Sequence, residues 1–136
     1  MTGFTLTTTL AQPYDAAVEA VRAALGEQGF GILTEIDLKA TLKSKLDVDV
    51  APQVILGACR PALAYEALAA EPSIAAVLPC NVVVRALDEN TTIVEAFDPD
   101  AMMGLADNAA LHTVAADAKE RVTAALTALD AGEGAN

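Results

Sequence analysis

The chain has 136 residues, which suits a single domain large enough to bury a core without disulfide or metal cross-links. Its formal net charge of -11, from 19 acidic and 8 basic residues, opposes binding to nucleic-acid phosphates and to anionic membrane surfaces. Hydrophobic residues make up 54% of the chain but aromatic residues only 4%, so the predicted core consists of Ala, Val, Leu and Ile.

The sequence carries no recognisable secretion signal. Its first six residues contain no basic residue before the apolar ones, and no later apolar stretch reaches the roughly 18 residues that a membrane-spanning helix needs. We therefore expect a cytoplasmic protein with no membrane partner, in which the two cysteines are free thiols.

The first third of the chain predicts a strand followed by a helix. Residues 4–10 alternate apolar side chains with threonines, which is typical of a strand with one buried face. Pro13 suits the first turn of a helix, and the apolar spacing continues to about residue 28, where Gly29 follows as the predicted C-cap. We expect this helix to cover one face of a sheet.

A second strand and a short helix follow. Residues 30–36 alternate, which places Ile32 and Thr34 on one face and Glu35 on the other. Asp37 is a candidate N-cap for a short helix whose leucines are spaced four residues apart. Three lysines flank that leucine stripe: Lys39, Lys43 and Lys45.

The second half predicts a strand, a helix, a hairpin and a final helix. Residues 50–59 form the third predicted strand, after which Pro61 begins a helix. Residues 80–87 and 91–97 are predicted to form a hairpin. Two side chains of opposite charge would face each other across it, Arg85 and Glu95.

The order of elements is β-α-β-(short α)-β-α-β-β-α, because a helix with an apolar stripe follows the hairpin. We predict one α+β domain over residues 1–130, a two-layer sandwich with a mostly antiparallel sheet and helices on one face, and a frayed tail at 131–136. The other sheet face is partly apolar, so a second copy of the chain is its expected cover and we expect a homodimer.

Two cysteines stand at strand ends. Cys59 closes the third strand and Cys80 opens the fourth, so antiparallel pairing of these strands would bring both thiols to one sheet edge. Cys59 also precedes a helix N-terminus and is followed by Arg60, and both features stabilise a thiolate. Because there is no C-x-x-C spacing, the alternative stays open that each cysteine is a small buried hydrophobe.

Two further candidate sites rest on weaker patterns. Met102, Met103 and His112 would, with the thiols, suit a soft ion such as Cu(I), although methionine more often fills gaps in a core. Lys39 and Lys43 form a local positive patch that could hold a small anion, with Glu35 as a general base or an ion-pair partner. The alternative is that these lysines bury their stems and leave their ammonium groups in water.

Five segments resemble the family called domain of unknown function 302 (DUF302): GFGILTEID (29–37), KATLK (39–43), ILGAC (55–59), LPCNV (78–82) and DPDAMM (98–103). The resemblance implies a fold similar to the α+β sandwich of the TATA-binding protein, with a curved antiparallel sheet, and a dimer. The family's motif positions have no known role, and here they are Glu35, Lys39, Cys59, Cys80, Asn81 and Met103. Similarity to a DNA-binding fold does not imply DNA binding, because the charge of this chain opposes it.

Three functions therefore stay in competition, and no motif specifies a catalytic residue, a reaction or a cofactor. The leading hypothesis is a homodimeric module that binds a small ligand or a soft metal ion near Cys59 and Cys80. The second is a thiol redox protein in which Cys59 is the nucleophile and Cys80 resolves it, and the third is a structural or interaction protein. The candidate ligand-binding residues are Glu35, Lys39, Lys43, Cys59, Cys80 and Asn81, and the candidate metal ligands are Cys59, Cys80 and Met103.

Overall fold

A computed structural model of the chain describes residues 3–104 and 108–134, with side chains described in those ranges except at 102–104 and 131–134. Five antiparallel strands form one open sheet in the spatial order β1-β5-β4-β3-β2. The strands are β1 (Thr5–Leu10), β2 (Gly31–Asp37), β3 (Gln53–Cys59), β4 (Cys80–Asp88) and β5 (Thr91–Phe97).

Helices occupy the connections between the strands and the C-terminal part of the chain. They are α1 (Tyr14–Glu27), α2 (Leu38–Leu46), α3 (Pro61–Ala70) and α4 (Ala109–Gly134), with 3-10 helices at Pro72–Val77 and Pro99–Gly104. Because α1 and α4 pack on each other and on the same face of the sheet, the predicted α+β two-layer fold is confirmed. Across residues 3–104 and 108–134, none of the helices combines the length and apolarity that crossing a membrane requires.

Local sequence signals explain where α1 and α2 begin and end. Pro13 is the N-cap of α1, and Gly29 follows the helix with a φ of 84°, a left-handed conformation that glycine adopts without strain. The Asp37 side chain accepts a hydrogen bond of 2.9 Å from the backbone N–H of Ala40, so the predicted N-cap of α2 is confirmed.

Two hydrophobic clusters stabilise the domain. The first lies between the sheet, α1 and α4, and includes the fully buried Leu10, Leu56 and Val84. The second joins α3, the 3-10 helix Pro72–Val77 and α4. Its buried members are Leu63, Ala67, Ile74, Leu111 and Val114. Cys80 packs at the edge of this second cluster, and so the structure around the thiols depends on how α3 meets α4.

The opposite side of the sheet is only half-buried. Along β5, Thr92, Val94 and Ala96 are buried, whereas the residues that alternate with them are of intermediate exposure. We call this side the outer face and define it by Ile55, Val83, Arg85, Ile93, Glu95 and Phe97. Arg85 and Glu95 form an ion pair, with Nη1 of Arg85 3.3 Å from Oε1 of Glu95. They are diagonal neighbours and do not face each other directly as predicted, because the register pairs Arg85 with Ile93 and Glu95 with Val83.

Strand β2 departs from the predicted alternation. The register shifts between Ile32 and Thr34, as expected for a β-bulge, so that Ile32 pairs with Ala58 while Glu35 pairs with Leu56. Paired residues share a face, and therefore Glu35 lies on the same side of the sheet as Ile32. The prediction that they lie on opposite faces is wrong, because the extra residue resets the alternation.

Two other segments differ in detail from the expectation. The connection between α3 and β4, where the predicted order of elements has none, contains the 3-10 helix Pro72–Val77, which buries Ile74. Helix α4 includes positions 131–134 of the segment expected to fray, and fraying there stays a prediction.

Candidate functional site

The antiparallel pairing of β3 and β4 brings the two cysteines to one end of the sheet. Ala58 is the direct partner of Cys80 in the register, so Cys59 lies one residue beyond that pair. The prediction that these strands run antiparallel is confirmed. Both cysteines are partly buried and neither forms a disulfide.

Both cysteines line a small cavity, which we call the thiol cavity. Its volume is about 40 Å³, and its other walls come from α3, α4 and the chain just before β2 and β4. The wall residues besides the cysteines are Phe30, Ala58, Arg60, Leu63, Ala64, Ala67, Leu78, Val114, Ala115 and Ala118. Apart from Arg60 and the thiols, every one of these side chains is apolar.

One asparagine helps to set the distance between the two helices that wall the cavity. The side-chain amide of Asn108 donates a hydrogen bond of 2.9 Å to the carbonyl of Ala70 at the end of α3. Its side-chain oxygen accepts one of 2.9 Å from the N–H of Ala110 in the first turn of α4. Asn108 thus joins the C-terminus of α3 to the N-terminus of α4, next to the second hydrophobic cluster.

The environment keeps both thiols protonated. Burial raises the pKa of the Cys59 thiol, and burial together with the nearby charge of ionised Cys59 raises the pKa of the Cys80 thiol. The pKa of Cys59 is thus raised by burial, opposite to the direction expected from Arg60 and the helix N-terminus. At neutral pH the cavity presents two uncharged thiols.

Arg60 is the charged residue of the cavity wall, and sequence analysis did not identify it as a candidate ligand. It is the N-cap residue of α3, whose N-terminus receives no side-chain capping hydrogen bond. Its Nε atom is buried and has no hydrogen-bond partner among the described residues. A Cβ added at Gly29 would lie 2.9 Å from that Nε, so Gly29 leaves room for the Arg60 side chain. In the sequence, Gly29 follows a helix and Arg60 follows a strand, and neither position indicates that the two residues lie close together.

The predicted residues of the lysine patch lie elsewhere. Glu35 forms an ion pair with Arg22 and lines a separate, open cavity beside α1. Lys39 donates a hydrogen bond of 2.8 Å to the carbonyl of Val50, and Lys43 pairs with nearby aspartates. The structure thus holds the three candidates Glu35, Lys39 and Lys43 in local contacts and not at the thiol cavity.

Asn81 and the remaining metal candidates are also not placed at the cavity. Asn81 is exposed and lines a groove on the outer face, because it follows Cys80 directly in a strand whose side chains alternate. His112 is exposed on α4, and the side chains of Met102 and Met103 lie outside the described part of the chain. Among the described residues there is no group of three or more His, Cys, Asp or Glu side chains that could hold a metal ion.

Fold and site together define an α+β domain with an open antiparallel sheet and an apolar cavity that contains two thiols. The family model described as "Domain of unknown function DUF302" matches residues 6–129, and the chain therefore belongs to the DUF302 family. The structure is similar to the crystal structure of an uncharacterized conserved protein DUF302 from Bacillus stearothermophilus, with a TM-score of 0.82 and 29% sequence identity. That similarity covers 91% of this chain and 96% of the other. No curated protein matches the chain.

Proposed function

We propose that this protein is a homodimeric binding module that takes a small, mainly apolar ligand into the thiol cavity. The observation that carries the proposal is that Cys59 and Cys80, from two neighbouring strands, line one apolar cavity. Because both thiols are free, we further propose that the protein works in a reducing compartment such as the cytoplasm.

The size and lining of the cavity support a small apolar ligand. A cavity needs roughly 10–15 Å³ by this measure to hold one water molecule, so about 40 Å³ accepts a body of a few non-hydrogen atoms. Cavities with aliphatic walls stay dry and bind apolar molecules, since water gains too few hydrogen bonds there. Two neutral thiols add weak polar contacts and little charge.

The state of the thiols favours binding over redox exchange. A redox thiol attacks as its thiolate, and the raised pKa values of Cys59 and Cys80 reduce the thiolate fraction at neutral pH. Among the described residues of the cavity, the two thiols are the side chains that could bind a soft metal ion. Such an ion would have to displace the protons of both thiols. We therefore rank a small organic ligand ahead of a metal ion and ahead of redox chemistry.

Xenon is a suitable first probe, because it is apolar and small enough for the cavity. We expect it to shift the backbone amide NMR signals of Cys59, Cys80 and Ala115. Ala115 is buried in the cavity wall on α4, so Ala115→Leu should fill the space and abolish the shifts. Ala116→Leu, on the exposed side of the same helix, is the matched control. Absence of shifts in the wild-type protein, or shifts that persist in Ala115→Leu, would refute this function.

The outer face supports the homodimer part of the proposal. It contains a groove of about 550 Å³ with apolar walls that include Phe4, Val77 and Val83, and Phe4 is 54% exposed. The charged residues of the outer face, Arg85 and Glu95, neutralise each other, so two copies of this acidic chain can meet there without like-charge repulsion. A second copy is therefore the occupant that we propose.

Sedimentation equilibrium tests the homodimer directly. We expect twice the chain mass for the wild-type protein and the mass of one chain for Val83→Lys, which places a charge at the centre of the outer face. Leu87→Lys, at the exposed hairpin end of the same strand, should stay dimeric. A monomeric wild-type protein would contradict the proposal, as would a Val83→Lys variant that stays dimeric.

A further inference from the structure

The thiol cavity brings two sulfur atoms within reach of one small molecule. Cys80 pairs with Ala58 in the register of β3 and β4, so Cys59 lies one residue beyond that pair, and both cysteines line the cavity. The charge of ionised Cys59 raises the pKa of Cys80, as expected for sulfurs that lie close together. The cavity therefore contains a pair of soft nucleophiles, and an apolar ligand by itself would use neither.

The rest of the wall limits which centre the two thiols can bind. Apart from Arg60, whose Nε is inaccessible beside Gly29, the other wall side chains are apolar. A Cu(I) ion held by two thiolates would leave a net negative charge in these surroundings, which is costly. A zinc ion requires four ligands, and the described residues of the cavity supply two. The cavity thus favours a centre whose complex with two thiolates is uncharged.

The space in the cavity adds a second requirement. By the measure used above, about 40 Å³ holds roughly three to four non-hydrogen atoms, and the space is lined by apolar side chains. A ligand that bonds to both thiols and places an apolar group in this space needs a centre with three bonds, two to sulfur and one to carbon. Trivalent arsenic with one organic substituent meets both requirements, because it is a soft, thiophilic centre and its complex with two thiolates carries no charge.

We propose that the ligand is a trivalent organic arsenic compound with one short alkyl group and two hydroxyl groups, and this inference rests on the binding function proposed above. Arsenic bonds to the sulfurs of Cys59 and Cys80, and the alkyl group occupies the thiol cavity. Two As–O bonds break and two As–S bonds form, and each hydroxyl leaves as water with one thiol proton. Arsenic stays trivalent, so the step needs no oxidant or reductant. The thiols enter as neutral groups and the complex is neutral, so the apolar surroundings do not oppose it.

Methylarsonous acid and arsenous acid form a matched pair of probes, because the first has a methyl group where the second has a third hydroxyl. In the cavity that hydroxyl would be buried without a hydrogen-bond partner. Dithiothreitol, a dithiol free in solution, competes for both probes, and the amide NMR signals of Cys59 and Cys80 report binding. We expect the protein to prefer methylarsonous acid by a factor at least about tenfold larger than dithiothreitol does.

The outcome of this comparison separates the inference from the proposed function. Failure of methylarsonous acid to bind, or a preference no larger than that of dithiothreitol, would overturn the inference. If xenon still shifts the amide signals of the cavity, the proposed function stands without it. If xenon fails as well, the proposed function and the inference both fall. The comparison of probes uses the wild-type protein and does not depend on any variant.

Cys59→Ser and Cys80→Ser test the pair of sulfurs. Each variant retains one thiol, so it should bind methylarsonous acid at least about 100-fold more weakly, because the second bond no longer forms within the same complex. Circular dichroism and xenon binding show whether each variant retains its fold and cavity. Wild-type affinity in either folded variant would overturn the two-sulfur site.

Ala115→Leu tests the position of the methyl group. The larger side chain fills the cavity from α4, so methylarsonous acid should bind at least about tenfold more weakly, because the methyl group is then excluded. Ala116→Leu, on the exposed side of the same helix, should retain wild-type affinity. Equal affinity of the two variants would overturn the placement of the methyl group in the thiol cavity.

Discussion

Gly57 offers the sharpest test of the packing around the thiols. It lies in strand β3, between Thr34 of β2 and Asn81 of β4. A Cβ added to Gly57 would clash with Oγ1 of Thr34 and would lie 2.7 Å from Cγ of Pro79. Pro79 immediately precedes Cys80, so the substitution Gly57→Ala would push β3 and β4 apart beside the thiol cavity.

The magnitude follows from two opposing effects. Gly57 has no left-handed φ, so its backbone conformation suits alanine. If space were free, alanine would stabilise the protein by about 0.4–1 kcal/mol, because it reduces the conformational entropy of the unfolded chain. Overpacking of this kind costs about 1–3 kcal/mol, and the ring of Pro79 has little freedom to move away. We therefore expect Gly57→Ala to lower the free energy of unfolding by about 1–2 kcal/mol.

Urea denaturation of the wild-type protein and four variants provides the assay. Gly31→Ala is the matched control, because a Cβ there would meet only the carbonyl oxygen of Cys59 at 3.9 Å. Because space is free there, it should raise the free energy of unfolding by about 0.4–1 kcal/mol relative to wild type. Thr34→Ala removes one of the clashing atoms, so the double variant with Gly57→Ala should show a favourable coupling of about 0.5 kcal/mol or more. Equal stability of Gly57→Ala and Gly31→Ala would refute the reasoning.

Three further predictions concern the thiols, a helix cap and the core. Because its pKa is raised on folding, Cys80 should react slowly with a disulfide reagent at neutral pH. The free energy of unfolding should fall as pH rises from about 8.5 toward the folded-state pKa of Cys80, because in that range the thiol ionises only in the unfolded protein. Cys80→Ala should flatten this fall. Asp37→Ala should destabilise α2 by about 1 kcal/mol in amide hydrogen exchange, whereas Asp37→Asn should retain most of the cap; equal exchange in both variants would contradict this. In urea unfolding, Leu56→Ala, at a fully buried position, should lower the free energy of unfolding by about 2–5 kcal/mol. Leu33→Ala, at a position 62% exposed, should lower it by less than about 0.5 kcal/mol. Similar losses in the two variants would argue against this core.

Local signals were sufficient for most of the fold. Pro13 and Gly29 mark the ends of α1, and Asp37 caps α2 as its position before a leucine stripe predicts. The antiparallel pairing of β3 and β4 agrees with the mostly antiparallel sheet expected from the order of elements. These features depend on a few neighbouring residues or on the order of elements, which is why a single sequence shows them.

Features that depend on distant contacts were not predictable. The shift between Ile32 and Thr34 exists only in the pairing of β2 with β3, so alternation along β2 by itself could not show it. The pKa of Cys59 is raised because neighbouring elements exclude water, whereas Arg60 and the helix start, the adjacent features in sequence, suggested the reverse.

The candidate site was predicted in part. Cys59 and Cys80 line one cavity, as their strand-end positions suggested, but Asn81 belongs to the outer face because successive strand residues alternate. The burial of the Arg60 Nε and the space that Gly29 leaves for the Arg60 side chain depend on distant segments, so the sequence did not show them. The resemblance to a family without a known activity indicated motif positions but no role for them. It could therefore not distinguish residues that line the cavity from residues that lie elsewhere.

The bulge in β2 also bears on how the protein avoids aggregation. β2 is one of the two edges of the open sheet, where unpaired backbone groups could recruit a strand of another molecule. The irregular step at Ile32 and Thr34 breaks the even spacing that such recruitment needs, and Glu35 and Asp37 add negative charge along the same edge. Growth of the sheet from one molecule to the next is thereby disfavoured at this edge.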